Sequence, residues 1–345
     1  APLVCGWLGQ RVGWHYGFGA AGVGMLVGLA VYLWGRDKYL PGVGLPPDRT
    51  AAARRAPGSD AASGQARPAA IGAAVGGLVA WMAGGARTDF AAWIAAGGWM
   101  ALLTGVCVGA ALAISVLGSQ GEERRRVYAL FIVAFFVVFF WMAFEQAAST
   151  MNIFADRYTD LPRSGDWVMP SSWFQSVNSL WVITLAPVFA ALWVGLGRRG
   201  KEPSTPLKLV LGLALLGLGF VFLIVPGRWV DACIAERGRD ACDVASPMWL
   251  VLAYLFHSLG ELCLSPVGLS YVTKVAPLRF ASLLMGVWFL AQAAANFAGG
   301  YIASFVDELS QAAFFSIFLF TSLGAAALML VMVPLLKRLT SSVRA

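Results

Sequence analysis

Val127-Tyr128-Ala129-Leu130-Phe131-Ile132-Val133-Ala134-Phe135-Phe136-Val137-Val138-Phe139-Phe140-Trp141-Met142-Ala143-Phe144-Glu145-Gln146 holds 18 residues without a charge and then a carboxylate. About 20 apolar residues suffice for a helix to cross a bilayer. This run is apolar all round rather than on one face, so it predicts a membrane helix, not a surface amphipath. The span extends over 127–154. Segments of the same character cover 14–34, 69–85, 91–117, 173–196, 207–226, 246–273, 281–303 and 312–336. The one at 69–85 is short and rich in Gly and Ala. A membrane barrel would instead show alternating segments of about ten residues. The fold class is therefore an all-α membrane protein.

Composition agrees. Of the 345 residues 59% are hydrophobic and 12% charged, against roughly 25% charged in an ordinary soluble domain. Mean hydropathy is +0.72. These values exclude a disordered chain, a secreted disulfide scaffold and a soluble enzyme. The net charge of +7 does not imply nucleic acid, because the basic residues sit in short clusters between apolar segments, as membrane topology requires. The chain opens on an apolar stub reaching only to about Leu8, too short to cross, and we expect the polypeptide to continue upstream of Ala1.

The connections differ in sign. Segment 35–68 is a linker carrying Pro41, Pro46, Pro47, Pro57 and scattered Arg. With 118–126, 197–208, 274–280 and the tail 337–345 it forms a basic side that holds 18 of the 25 Lys and Arg, including all five Lys. The comparatively acidic loops 155–172, 227–245 and 304–311 fall on the other side. By the positive-inside rule the linker and C-terminus face the cytoplasm. Cys5, Cys107 and Cys263 lie in spans as packing residues. Cys233 and Cys242 share an outer loop, either bridged or as two free thiols.

Ionisable groups inside a bilayer cost roughly 2.5–3.5 kcal/mol each on insertion, so they mark function by default. Only Glu145 and Glu261 lie well inside the predicted spans. Each faces a cavity, a partner or, as a purely structural group, a neighbouring helix. Two of them on separate helices favour a central polar site. His257, Glu261 and Ser265 are spaced i, i+4, i+8 on one helix face, with Pro266 next to permit a bend. His257 is equally readable as a satisfied core histidine. Asn178 and Asn296 either bind substrate or link helices. Trp141 and Trp288 line a pocket or simply pack. Gly17-Phe18-Gly19-Ala20-Ala21-Gly22 matches a nucleotide-loop pattern, but no strand precedes it, so helix packing explains it better. No metal-ligand, Walker or nucleophile motif is visible, and no cofactor is called for.

Several stretches resemble the proton-coupled oligopeptide transporters, the POT (PTR2) members of the major facilitator superfamily. They are Gly13-Trp14-His15-Tyr16-Gly17-Phe18-Gly19, Phe144-Glu145-Gln146, Trp173-Phe174-Gln175-Ser176-Val177-Asn178, Gly260-Glu261-Leu262-Cys263-Leu264-Ser265-Pro266 and Met285-Gly286-Val287-Trp288-Phe289. The resemblance implies two six-helix bundles with two inserted helices. Residues 1–34 would end the N-terminal bundle, 35–68 would be the cytoplasmic linker, 69–117 the inserted pair and 118–345 the C-terminal bundle.

The resemblance also implies roles. Glu145 takes part in proton coupling. Asn178 and Glu261 hold the peptide's amino terminus, and Trp288 lines a side-chain pocket, with Ser265 and Trp141 as further pocket residues. The family's motifs for the peptide carboxylate lie upstream of Ala1. The function so implied is proton-coupled symport of di- and tripeptides across a bacterial inner membrane, with peptides, protons and membrane lipids as partners and no nucleic acid. The alternatives are a facilitator for another small solute, a membrane-embedded enzyme, or a non-transporting peptide sensor on the same scaffold.

Overall fold

The computed structural model of the chain describes residues 2–40, 60–84, 98–165 and 167–341. The linker prolines at 41–57, Arg87 and the last four residues of the basic tail lie outside the described residues. After a π-helical turn at Pro2–Gly6 come α1 (Trp7–Arg11), α2 (Trp14–Tyr39), α3 (Asp60–Gly84), α4 (Trp99–Leu117), α5 (Gly121–Phe144) and the short α6 (Thr150–Tyr158). Then follow α7 (Phe174–Arg198), α8 (Thr205–Gly219), α9 (Val221–Arg237), α10 (Pro247–Val275), α11 (Ala281–Ala303) and α12 (Gln311–Leu339).

Among the described residues eight helical stretches are long and apolar enough to cross a membrane. The predicted span at 69–85 is helical, but its apolar part, Ala66–Met82, is shorter than the others. Strands were not expected. A two-residue antiparallel pair, β1 (Arg163–Ser164) with β2 (Trp167–Val168), closes the loop before α7.

Several spans differ from their sequence reading; α2 runs to Tyr39 and α3 begins at Asp60, both inside the predicted linker 35–68. The helix predicted over 127–154 is interrupted: α5 stops at Phe144, a 3-10 turn covers Glu145–Ala148, and α6 restarts at Thr150. The span predicted to end at 226 continues as α9 to Arg237. Arg228 and Asp231 end the apolar run without ending the helix. The Asp231 carboxylate accepts from the first backbone N–H groups of α12, Gln311 at 2.7 Å and Ala312 at 3.0 Å. An anion satisfying orphan donors at a helix N-terminus stabilises both partners. Gly238, at φ +80°, then turns the chain in a conformation side chains disfavour. Cys242 returns to Cys233, and the two are disulfide-bonded with Cα atoms 5.8 Å apart.

α5, α8, α9, α10 and α12 share one core, with Phe140, Phe220, Tyr254, Phe314 and Phe318 almost fully buried. The helices approach where they lack side chains. A Cβ on Gly212 or Gly260 would come within about 3 Å of the other's carbonyl oxygen, so α8 and α10 meet backbone to backbone. α3 and α4 do the same through Gly72 and Gly76 against Gly105 and Gly109, a small-xxx-small contact of the membrane type. In α2, Gly17 packs on the Cys5 carbonyl, whereas Gly19 and Gly22 face open space. Of the free cysteines Cys263 is buried but Cys107 is exposed, so it is not a packing residue within the chain.

The ends of the bundle confirm which loops share a side. Asp307 accepts from both Arg157 and Arg239 at 2.7 Å, and Arg163 pairs with Asp243. This ties loops 155–172, 227–245 and 304–311 together. At the opposite end Arg279 pairs with Glu123, joining 274–280 to 118–126. The opening turn belongs to the first end: Gln10 Nε2 donates to Ser171 Oγ at 2.8 Å and Trp173 Nε1 to the Leu3 carbonyl at 3.1 Å.

Candidate functional site

The site begins with the rotation of α10. Because Gly260 lies against α8, the next residue is turned about 100° around the helix, and Glu261 meets α7. There Asn178 Nδ2 donates to Glu261 Oε2 at 3.1 Å and to Ser258 Oγ at 3.0 Å. The Ser258 hydroxyl donates its own hydrogen to the Tyr254 carbonyl at 2.7 Å. It thus accepts from one helix and donates along another, which suits its single hydrogen and two lone pairs. Glu261 and Asn178 are part-buried and Ser258 is fully buried. The remaining acceptor capacity of the carboxylate is left for a donor from outside the chain.

Glu145 sits at the break between α5 and α6. Its carboxylate has no hydrogen-bond or ion-pair partner among the described residues, and it lies close enough to Glu261 to interact electrostatically. Side chains take over the interrupted backbone bonding. Gln146 Nε2 donates to the Met142 carbonyl at 3.0 Å and to the Gly299 carbonyl of α11 at 3.3 Å, while its Oε1 accepts from Thr150 at 2.9 Å. The Tyr254 hydroxyl donates to the Ala147 carbonyl at 3.0 Å. Tyr254 therefore touches both carboxylate neighbourhoods, through its carbonyl toward Ser258 and through its hydroxyl toward the Glu145 turn.

The other sequence-predicted residues lie as follows. Trp141 makes edge contacts with Phe140 and Phe144, with ring centroids 5.5 and 5.3 Å apart, and its indole N–H has no partner. Trp288 is buried against α10, where a Cβ on Gly268 would overlap its ring. Ser265 Oγ, one turn beyond Glu261, is buried without a partner. Asn296 is exposed. His257 does not join Glu261. It packs at 4.7 Å on Phe220, against Gly219, with both ring nitrogens unpartnered.

The polar row on α10 is Tyr254, Ser258 and Glu261, not the row through His257. Its i, i+4, i+7 spacing was present in the sequence. Tyr and Ser are cheap enough in a membrane helix that nothing marked them, and Gln146 was hidden in the same way.

Comparison with known proteins gives this geometry a setting. The model of the POT family matches residues 1–46 and 100–318. The uncharacterized transporter YclF of Bacillus subtilis is 35% identical over 98% of this chain and 64% of its own length. The peptide transporter YePEPT of Yersinia enterocolitica is 33% identical over 90% of this chain and 60% of its own. A crystal structure of the peptide transporter POT in complex with sulfate superposes with a TM-score of 0.71 at 32% identity, covering 98% of this chain and 65% of that one. The chain thus spans less than two thirds of each relative.

Proposed function

The chain belongs to the POT family, whose members are transporters of the major facilitator fold, and from that premise we propose that it serves proton-coupled symport of di- and tripeptides by alternating access. The observation that carries this reading is the Asn178–Glu261 pair across α7 and α10, set within electrostatic reach of a second, unpartnered carboxylate at Glu145. Glu261 is the acceptor for a peptide's ammonium, and Asn178 orients it. A charge-assisted contact of this kind selects substrates bearing an amine over anions and uncharged solutes. Trp288, Ser265 and Trp141 line the side-chain end of the site.

Glu145 carries the proton. An ammonium held by Glu261 cancels the negative charge that Glu145 senses, so peptide binding and proton binding at these two groups are linked, and the linkage is reciprocal. The 3-10 interruption at Glu145–Ala148 supports this role, because a break in regular helix is the part of a span best able to have two arrangements.

The protein spans a membrane several times. We place it in a bacterial inner membrane with its C-terminus in the cytoplasm, on the Lys and Arg distribution.

Peptide uptake into liposomes with an imposed pH gradient tests the reading. Accumulation of dipeptide above equilibrium, abolished by an uncoupler, is expected. Peptide binding without accumulation would mark a sensor, and uptake of solutes without an amine in preference to peptides would overturn the substrate assignment.

A further inference from the structure

A cavity lies at the basic end of the bundle, between α7, the start of α8 and the last turns of α10 and α12. Its volume is about 900 Å³, within the roughly 300–1,000 Å³ of ordinary ligand cavities. None of Asn178, Ser258 or Glu261 lines it. One wall is apolar and aromatic, with Phe189 and Trp193 of α7 facing Val267 of α10. The opposite side carries Lys208, Lys274 and Lys337 against a single carboxylate, Glu202.

Lys208 is 7% exposed. It pairs with Glu202 and lies 4.5 Å over the Trp193 ring, so its charge is met within the chain. Lys274 and Lys337 have no ion-pair partner among the described residues, so the cavity keeps an uncompensated positive charge. Two buried donors on its lining, the Trp193 indole N–H and the Ser204 hydroxyl, have no hydrogen-bond partner. Buried polar groups are ordinarily satisfied, so each such orphan points to a missing acceptor.

We propose that this cavity binds an anionic phospholipid, its phosphate at Lys274 and Lys337 and an acyl chain along Phe189 and Trp193. The cationic rim and orphan donors call for phosphate oxygens. The aromatic wall calls for hydrocarbon, and Ile183, one turn before the lining residue Ala186 on α7, is exposed. A soluble phosphate would use the rim alone and leave that wall wet. Basic pockets between membrane helices on the cytoplasmic side take lipid headgroups by the same physics.

Native mass spectrometry of the purified protein tests this with phosphatidylglycerol, phosphatidylcholine and inorganic phosphate as separate probes. Phosphatidylglycerol adducts should exceed phosphatidylcholine adducts roughly tenfold or more. Lys274→Gln/Lys337→Gln should abolish that preference, and since both side chains are exposed, neither change empties a packed position. Lys38→Gln/Arg125→Gln removes equal charge from the same side outside the cavity and should leave the preference intact. Trp193→Phe, which keeps an aromatic side chain on the wall but deletes the orphan N–H, should reduce it. Equal binding of the two lipids, or equal loss in both double variants, overturns the proposal. Displacement of phosphatidylglycerol by inorganic phosphate assigns the rim to a soluble anion and overturns the lipid.

Discussion

On the proposed reading Asn178, Glu261 and Glu145 divide the work at the site, and each division is measurable. Glu261→Gln keeps the shape and removes the charge. A hydrogen bond to a charged group contributes about 1.5–3 kcal/mol, so peptide affinity should fall roughly ten- to hundredfold in a binding titration. Unchanged affinity would exclude Glu261 as the ammonium acceptor. Glu145→Gln should leave binding and counterflow in place yet abolish accumulation driven by a pH gradient. Peptide affinity that varies with pH in the parent should become flat in this variant, because the linkage runs through that proton. Tyr254→Phe tests the connection between the two groups. It strips the Ala147 carbonyl of its donor and loosens the Glu145 turn, so the accumulation ratio should fall while affinity changes less than about threefold. Loss of affinity in step with accumulation would reduce Tyr254 to a stability role. The two carboxylates were legible in the sequence because a charge in an apolar run is costly. Tyr254, Ser258 and Gln146 were not, since each is tolerated in a membrane helix for many reasons and only contact distances give it a task.

At the scale of elements, glycine decides what packs. The α3–α4 contact brings Gly76 so close to Gly105 that a Cβ would overlap its carbonyl oxygen. Gly76→Leu should therefore separate the pair and lower the melting temperature in detergent, overpacking of this kind costing about 1–3 kcal/mol or more. Gly286→Leu, where a Cβ meets nothing within 4 Å, is the control and should melt like the parent. Equal melting of all three proteins would show that α3 and α4 do not depend on close approach. The same Gly and Ala content that made 69–85 a weak span by hydropathy is what lets it pack, so its weakness as a signal and its strength as an interface have one cause. The break in the predicted 127–154 helix had no hydropathic trace, because Gln146 and Thr150 replace lost backbone bonds with side-chain ones. The extension of α9 was hidden for a related reason: charges end a membrane run, whereas a helix ends only where capping or glycine ends it, here at Gly238. The sequence left the Cys233–Cys242 pairing open. Chain reversal at Gly238 brings the two together, and both thiols should resist alkylation until reductant is added.

For the whole molecule the sequence was most explicit, since topology is written in charge. Eighteen of 25 Lys and Arg fall to one set of connections. The structure joins loops 155–172, 227–245 and 304–311 through Asp307 and its two arginines at one end, and 118–126 to 274–280 through Arg279 at the other. The ends are therefore fixed by contacts, while their sidedness rests on the attraction of Lys and Arg to the cytoplasmic face, an effect of about 1 kcal/mol per residue near an anionic surface. Two exposed positions test it, with the three free cysteines replaced and the disulfide kept. Leu278, 97% exposed in the basic 274–280 connection, and Glu236, exposed near the outer end of α9, are each changed to Cys. A membrane-impermeant maleimide should label Glu236→Cys in intact cells and Leu278→Cys only in inverted vesicles. The reverse pattern would turn the molecule over and place the lysine-lined cavity outside the cell. Labelling of both positions from one side would break the assignment of loops to ends, and with it the count of crossings between α9 and α11.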